Sequence, residues 1–229
     1  MGFLLGENMV SFKKINSEEY KLQREQIEKE EEKKELLRCQ TALGTGHRPN
    51  KLGNCYSLNH PMSIAIKDKL IPVLEELIIR EGVTRFITGG AIGWDQVMFW
   101  TVQVLKKKYP YIKNIVAIPF KNQDAVWKDP DTLKWYKKML EIADEVINVE
   151  GIDGYKTNED IPYGDYSIKK MGKRNEYMVD NGKYIVAGFD GSKGGTANCL
   201  YYARHCYKGH ILYRLHPKYD FELDITYIC

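Results

Sequence analysis

Apolar positions recur at helical spacing along residues 60–81 (Ile64, Ile66, Leu70, Val73, Leu74, Leu77 and Ile78), and a short strand-like run, TRFIT, follows at 84–88. The alternation of long amphipathic stretches and short apolar runs continues. Residues 93–107 predict a helix with Val97, Met98, Val104 and Leu105 turned inward, and NIVAIPF at 114–120 predicts a strand. A helix over 131–143, a strand over 145–150 (EVINVE) and a loop rich in Gly, Asp and Tyr over 151–166 come next. Residues 168–181 predict a helix, KYIVAGF at 183–189 a strand, GGTANCLYYARHCYK a further helix, and HILYRL at 210–215 a strand. Before all of these, QTALGTG ends a short run in small residues.

Strand and helix alternate about six times. That pattern predicts an α/β fold, Rossmann-like and doubly wound, with a mostly parallel sheet of about six strands and helices on both faces. Several strands are near-continuous apolar runs, as expected where both faces are covered. Right-handed crossovers bring the strand-to-helix loops to one edge of the sheet, and ligands of such folds sit in the crevice outside the carboxyl ends of the strands.

Residues 16–38, NSEEYKLQREQIEKEEEKKELLR, are almost all charged or long-chain, with Asn16 and Glu19 at capping-box spacing and Tyr20, Leu22, Ile27, Leu36 and Leu37 as sparse apolar positions. This predicts a charged helical appendage over residues 1–39 and a main domain over 40–229. A polar helix of this kind can bridge subunits, and a homo-oligomer is expected.

Composition narrows the chemistry. The chain has 229 residues, 43% hydrophobic, enough for a substantial core. Acids and bases are well mixed at a net charge of +3, so no concentrated basic surface points to nucleic acid. No apolar run approaches the roughly 20 residues of a membrane span. The N-terminal MGFLLGENMVSFKK is a poor secretory signal. Five cysteines, none in a CxxC pair, read as reduced thiols, and Cys199 and Cys206 share one helical face as packing residues. A cytoplasmic protein with no membrane partner, no metal ligands and no required cofactor is expected.

Three loops at the predicted ligand edge stand out. The first, Gly44-Thr45-Gly46-His47-Arg48-Pro49, offers a bare backbone, a planar guanidinium and a titratable ring. The plain alternative is a glycine turn whose Arg48 makes a structural ion pair. The second, Gly89-Gly90-Ala91-Ile92-Gly93, runs into a helix that begins with Trp94 and Asp95. First-turn amides and the helix dipole attract an anion, and Asp95 is placed to accept from sugar hydroxyls or to act as a base. The third, from Gly191 through Ser192, Gly194, Gly195 and Thr196, opens the helix that holds Cys199. Arg174 and Asn175, on the helix over 168–181, reach a ligand if that helix starts near the crevice. Trp94, Trp127, Tyr136 and Tyr163 are the aromatic candidates for stacking on a base, with hydrophobic packing as their ordinary role.

TGHRP at 45–49, GGAIGWD at 89–95, the spaced Pro119, Phe120, Gln123 and Trp127, RNEYMVD at 174–180 and DGSKGGTA at 190–197 occur in that order. The ordered set resembles the YpsA-like branch of the SLOG superfamily, named for the DprA/Smf and Lonely Guy proteins, over roughly residues 41–215. The resemblance implies a Rossmann-like sheet and a site for nucleotides or nucleotide-derived molecules. Lonely Guy proteins are phosphoribohydrolases whose PGGxGTxxE loop carries a catalytic Glu. Here the matching stretch is GSKGGTANCL, with Asn198 and no acid in the next turn. Other relatives sense ADP-ribose-like signals in conflicts between phage and bacterium, a role that needs only binding.

The leading expectation is therefore a sensor or sequestering sponge for an ADP-ribose-like or cyclic nucleotide signal. A nucleotide N-glycoside or phosphoester hydrolase using Asp95 is the second reading. A module binding single-stranded nucleic acid or protein is the third.

Overall fold

The computed structural model describes residues 17–228. These fall into two compact units, one ending at Glu35 and one running from Leu36. Helix α1 (Ser17–Cys39) is acidic in its first turn and exposed along residues 18–37, including Tyr20, Leu22, Ile27, Leu36 and Leu37. Its sequence has too few apolar residues to bury a face. Asn16 of the expected capping box lies outside the described residues.

The second unit is a seven-stranded sheet with strand order β4-β3-β2-β1-β5-β6-β7. Its elements are β1 (Thr41–Gly46), α2 (Pro61–Arg80), β2 (Arg85–Thr88), α3 (Trp94–Lys106), β3 (Lys113–Ile118), α4 (Pro130–Ile142), β4 (Glu145–Asn148), α5 (Ile168–Asp180), β5 (Tyr184–Gly188), α6 (Gly195–His205), β6 (His210–His216) and β7 (Glu222–Ile228). Strands β1 to β6 pair in parallel, and β7 adds to β6 in antiparallel register from His210↔Ile228 to His216↔Glu222. This last strand exceeds the six expected. Its apolar Leu223, Ile225 and Tyr227 alternate with polar residues and stay exposed, as on an edge strand.

Two layers cover the sheet. Helices α2 and α3 pack on one face around Leu74, Phe86, Met98, Val102 and Val186, and α4 extends that layer over β3 through Tyr136 and Met139. Helices α5 and α6 pack on the other face around Leu43, Ile87, Met178, Ile185 and Cys199. Within the predicted helices, Ile64 and Val104 prove exposed and Val102 takes the inward place.

The chain winds outward from β1 to β4, then returns to lay β5 beside β1 on the other side. The crevice of a doubly wound sheet opens where strand order reverses, which here is between β1 and β5. At that point the glycines on the strands have a packing cause. The register pairs Gly46 of β1 with Gly188 of β5. The fully buried Trp94 indole lies across both, so that a Cβ at either position would come within 2.2 Å of it. Gly44 similarly clears space for Met98 Sδ.

Candidate functional site

A cavity of about 500 Å3 opens over the carboxyl ends of β1 and β5, within the size range of small-molecule sites. The loop after β1 supplies Gly46, His47, Arg48 and Lys51 to its wall, with Gly44 and Thr45 beneath them. The loop after β5 supplies Ser192, Lys193 and Gly194, and α6 adds Gly195, Thr196 and Asn198. From α5 come Ile168, Met171, Gly172, Arg174 and Asn175, and from the α3 corner Ala91 and Asp95. The first and third glycine loops thus meet at one opening.

Three helices begin near this opening, and their first turns differ. In α3 the protein uses its own groups. The Trp94 amide donates to the His47 carbonyl at 3.2 Å, the Gln96 amide to Ala91 at 3.3 Å, and the Asp95 carboxylate accepts from the Ala91 amide at 3.4 Å. In α5 the Ser167 hydroxyl caps the helix, accepting from the amides of Lys169 and Lys170 at 3.0 and 3.2 Å. In α6 the N-cap is Gly194, at φ 148°, with no side chain to offer. Among the described residues, no group accepts from the amides of Gly195, Thr196 or Ala197. Partnerless first-turn amides at the positive end of a helix dipole form an anion site. The open end is that of α6.

Cations converge on the same end. Lys51 Nζ donates to Ser192 Oγ at 2.8 Å and to the Lys193 carbonyl at 2.9 Å, tying the first loop to the third. His47 Nε2 lies 2.7 Å from Asp190 Oδ1. Hydrogen bonds from Ser192, with Lys218 at 3.1 Å and His47 beside it, hold the Asp190 carboxyl far below the usual carboxylate range. Burial lowers the pKa of His47, outweighing the opposing pull of Asp190. Four cations, Arg48, Lys51, Arg174 and Lys193, line the cavity against one acid, Asp95.

Arg48 and Arg174 do different work. Arg174 is buried, its Nε donating to Asn175 Oδ1 at 3.0 Å and its Nη1 lying 3.8 Å from Asp95 Oδ2 without a hydrogen-bond partner among the described residues. Burial raises the Asp95 pKa against the opposing effect of Arg174, Arg48 and the Ala91 and Gly89 amides. Arg48 is half-buried, and burial pulls its pKa down. It senses Asp95, Arg174 and Tyr166 electrostatically, but among the described residues its guanidinium makes no hydrogen bond or ion pair. Among the described residues, the structural ion pair that would give Arg48 an ordinary role is not formed.

Gly89, Gly90, Gly93 and Trp94, grouped with the site by sequence, stand outside the cavity lining, for a physical reason. The second corner is bare to admit the protein's own groups. A Cβ at Gly89 would strike Arg174, one at Gly90 would meet Met139, Val116 and Tyr136 at 3.1–3.3 Å, and one at Gly93 would meet the His47 carbonyl at 2.7 Å. The aromatic candidates are likewise engaged. Trp94 and Tyr136 are buried, Trp127 packs on Tyr136 at 4.8 Å, and Tyr163 accepts from Asn148 Nδ2 at 2.7 Å. Asp180 binds Tyr155, Tyr202 and Lys208 at the far end of α5.

Sequence reasoning missed Lys51, Lys193, Tyr166, Ile168 and Met171 as lining residues. Lys51 was legible as the next cation after TGHRP. Tyr166 and Ile168 had only the signal of exposed apolar residues flanking a helix cap.

Comparison with known proteins places these residues in a family. The YpsA model, described as the YspA SLOG family, matches residues 42–216. The chain is 57% identical over 170 residues to an uncharacterized SPbeta prophage-derived protein, YoqJ, of Bacillus subtilis, covering 74% of this chain and 98% of that protein. It is 29% identical over 159 residues to a UPF0398 protein of Brevibacillus brevis, covering 68% and 76% respectively. A UPF0398 protein of Lysinibacillus sphaericus is 33% identical over 108 residues, covering 46% of this chain and 57% of its own length.

Proposed function

The chain belongs to the YspA SLOG family, and on that premise we propose that its cavity binds a nucleotide-derived small molecule through the phosphate. Family membership gives the coarse statement, a nucleotide-related binding or modifying role. The observation that carries the finer reading is the unsatisfied first turn of α6, facing a cavity that also holds an Arg48 with no internal partner. A phosphate on the amides of Gly195 and Thr196 gains the helix dipole and backbone donors together. Arg48 adds a planar fork suited to a phosphate or diphosphate. Asp95, deeper and beside Arg174, is available to a sugar hydroxyl.

Binding without turnover is the reading favoured here, in which the protein senses or sequesters a signal such as ADP-ribose or a cyclic nucleotide. The Bacillus subtilis relative is prophage-derived, which fits a setting of phage–bacterium conflict. The second reading is a nucleotide hydrolase, and one observation favours it. Asp95 is a cavity-lining carboxylate with a raised pKa, and perturbed groups in clefts are candidates for catalysis. Against it, Asp95 is the only acid in the lining, and Asn198 stands where Lonely Guy proteins carry Glu.

Calorimetric titration with ADP-ribose, cyclic nucleotides and nucleoside monophosphates, with chromatography of each mixture after incubation, separates the readings. Saturable binding with intact ligand supports a sensor or sponge. Released base or phosphate supports the hydrolase, and no binding to any member of the panel rejects both.

A further inference from the structure

We infer that Tyr166 is the platform on which the ligand's planar base stacks, so that the end of the 151–166 loop makes the cavity prefer a base-bearing ligand to a bare sugar phosphate. This rests on the phosphate-binding reading above and adds the other end of the ligand.

The cavity is chemically polarised. Its α6 side carries open amides, Lys51 and Lys193, whereas the side formed by the start of α5 presents Tyr166, Ile168 and Met171. Tyr166 is 55% exposed and Ile168 77% exposed, large apolar surfaces that face the opening instead of the core. Arg48 lines the same cavity as Tyr166. A ligand that spans the cavity therefore meets donors at one end and an aromatic face at the other. A nucleotide has that division, and a free sugar phosphate does not.

The platform is held in place. Tyr166 packs edge-on against the buried Phe120 with ring centroids 5.8 Å apart. The chain just before it is braced by the buried Lys170, whose Nζ donates to the carbonyls of Pro162 at 2.9 Å and Asp165 at 3.2 Å and pairs with Glu150 at 3.0 Å. Glu150 in turn accepts from the amides of Gly164 and Lys121, each at 3.0 Å. Two buried opposite charges with every oxygen and proton engaged make a stiff anchor. A preorganised aromatic face loses little freedom when a base settles on it. The other aromatic candidates are buried, packed or outside the cavity, as described above.

Base–aromatic stacking is worth about 5- to 150-fold in affinity per base when the ring is removed. The test titrates the full chain with ADP-ribose and with ribose 5-phosphate, which lacks the base, using the wild type, Tyr166→Ala and Tyr166→Phe. The inference predicts that Tyr166→Ala weakens ADP-ribose by about 5- to 150-fold and leaves ribose 5-phosphate within about twofold. Tyr166→Phe, which keeps the ring, should retain the ADP-ribose affinity. ADP-ribose binding that is unchanged in Tyr166→Ala overturns the platform and leaves the phosphate site standing. An equal loss for both probes, or a loss in Tyr166→Phe as large as in Tyr166→Ala, also overturns it, because the contact would then be to the sugar phosphate or through the hydroxyl. Failure of the wild type to bind ADP-ribose overturns the platform, and the wider panel of nucleotides above then decides whether the phosphate reading stands.

Discussion

The Arg174 guanidinium occupies the space that a side chain at Gly89 would need: a Cβ built there lies 1.3 Å from Nη1 and 2.8 Å from Asp95 Oδ2. A glycine that reads from sequence as cleared for a ligand is cleared for the protein's own buried ion pair. Gly89→Ala should therefore destabilise the fold by about 1–3 kcal/mol, the usual cost of overpacking. The same substitution made in an Arg174→Ala background should cost less, because the overlap with the guanidinium is gone and only the Asp95 contact remains. Chemical denaturation of the four proteins in this cycle measures the coupling.

Arg48 contrasts with Arg174. With no internal hydrogen bond or ion pair among the described residues, its loss should leave stability within about 0.5 kcal/mol, as for substitutions away from structural features. Removing a charge-assisted bond to phosphate should cost about 1.5–3 kcal/mol of binding. Arg48→Ala is thus expected to keep the melting temperature and lose roughly tenfold or more in ADP-ribose affinity. Paired thermal denaturation and titration calorimetry check both halves.

Gly172 and Gly188 should respond oppositely to alanine. Gly172 lies inside α5 with no atom within 4 Å of a built Cβ and no positive φ. Gly172→Ala should stabilise by about 0.5–1 kcal/mol, because alanine loses less backbone freedom on entering a helix. Gly188→Ala would press on the Trp94 indole at 2.2 Å and should destabilise by about 1–3 kcal/mol. Urea unfolding curves distinguish the signs.

Stability should fall as pH drops below neutrality. His47 and His210 are both buried, and burial lowers each pKa from 6.5. Below 6.5 the unfolded chain takes up protons that the native state refuses, so the folded state is favoured fully above that value and progressively less below it. Asp190 has the same sign in a lower window. Its folded pKa is depressed from 3.8, so its contribution is present above 3.8 and lost as pH falls below. Unfolding free energies between pH 8 and 5 should show the histidine slope, and His47→Gln should reduce that slope without abolishing it, because His210 remains.

The sheet was legible because several of its strands are short apolar runs alternating with amphipathic helices, and the loops after β1 and β5 advertised themselves through glycine and Arg48. The antiparallel β7 was not, although ELDITYI alternates polar and apolar residues at strand period: no helix precedes it, so the repeating strand–helix pattern gave it no place. At positions 89, 90 and 93 sequence cannot distinguish a backbone kept bare for a ligand from one kept bare for Arg174, Met139 or the His47 carbonyl. Helix starts were partly ambiguous. Ser167, directly before α5, is a legible N-cap, whereas the His47 carbonyl reaches the start of α3 from across the fold with no signature in spacing.

A crystal structure of the protein with ADP-ribose tests the central claim most directly. The account predicts a phosphate within hydrogen-bond distance of the amides of Gly195 and Thr196, with the Arg48 guanidinium on the same or the adjoining phosphate. A phosphate seated at the start of α3, a ligand bound outside the crevice between β1 and β5, or an empty cavity at saturating ligand would contradict it.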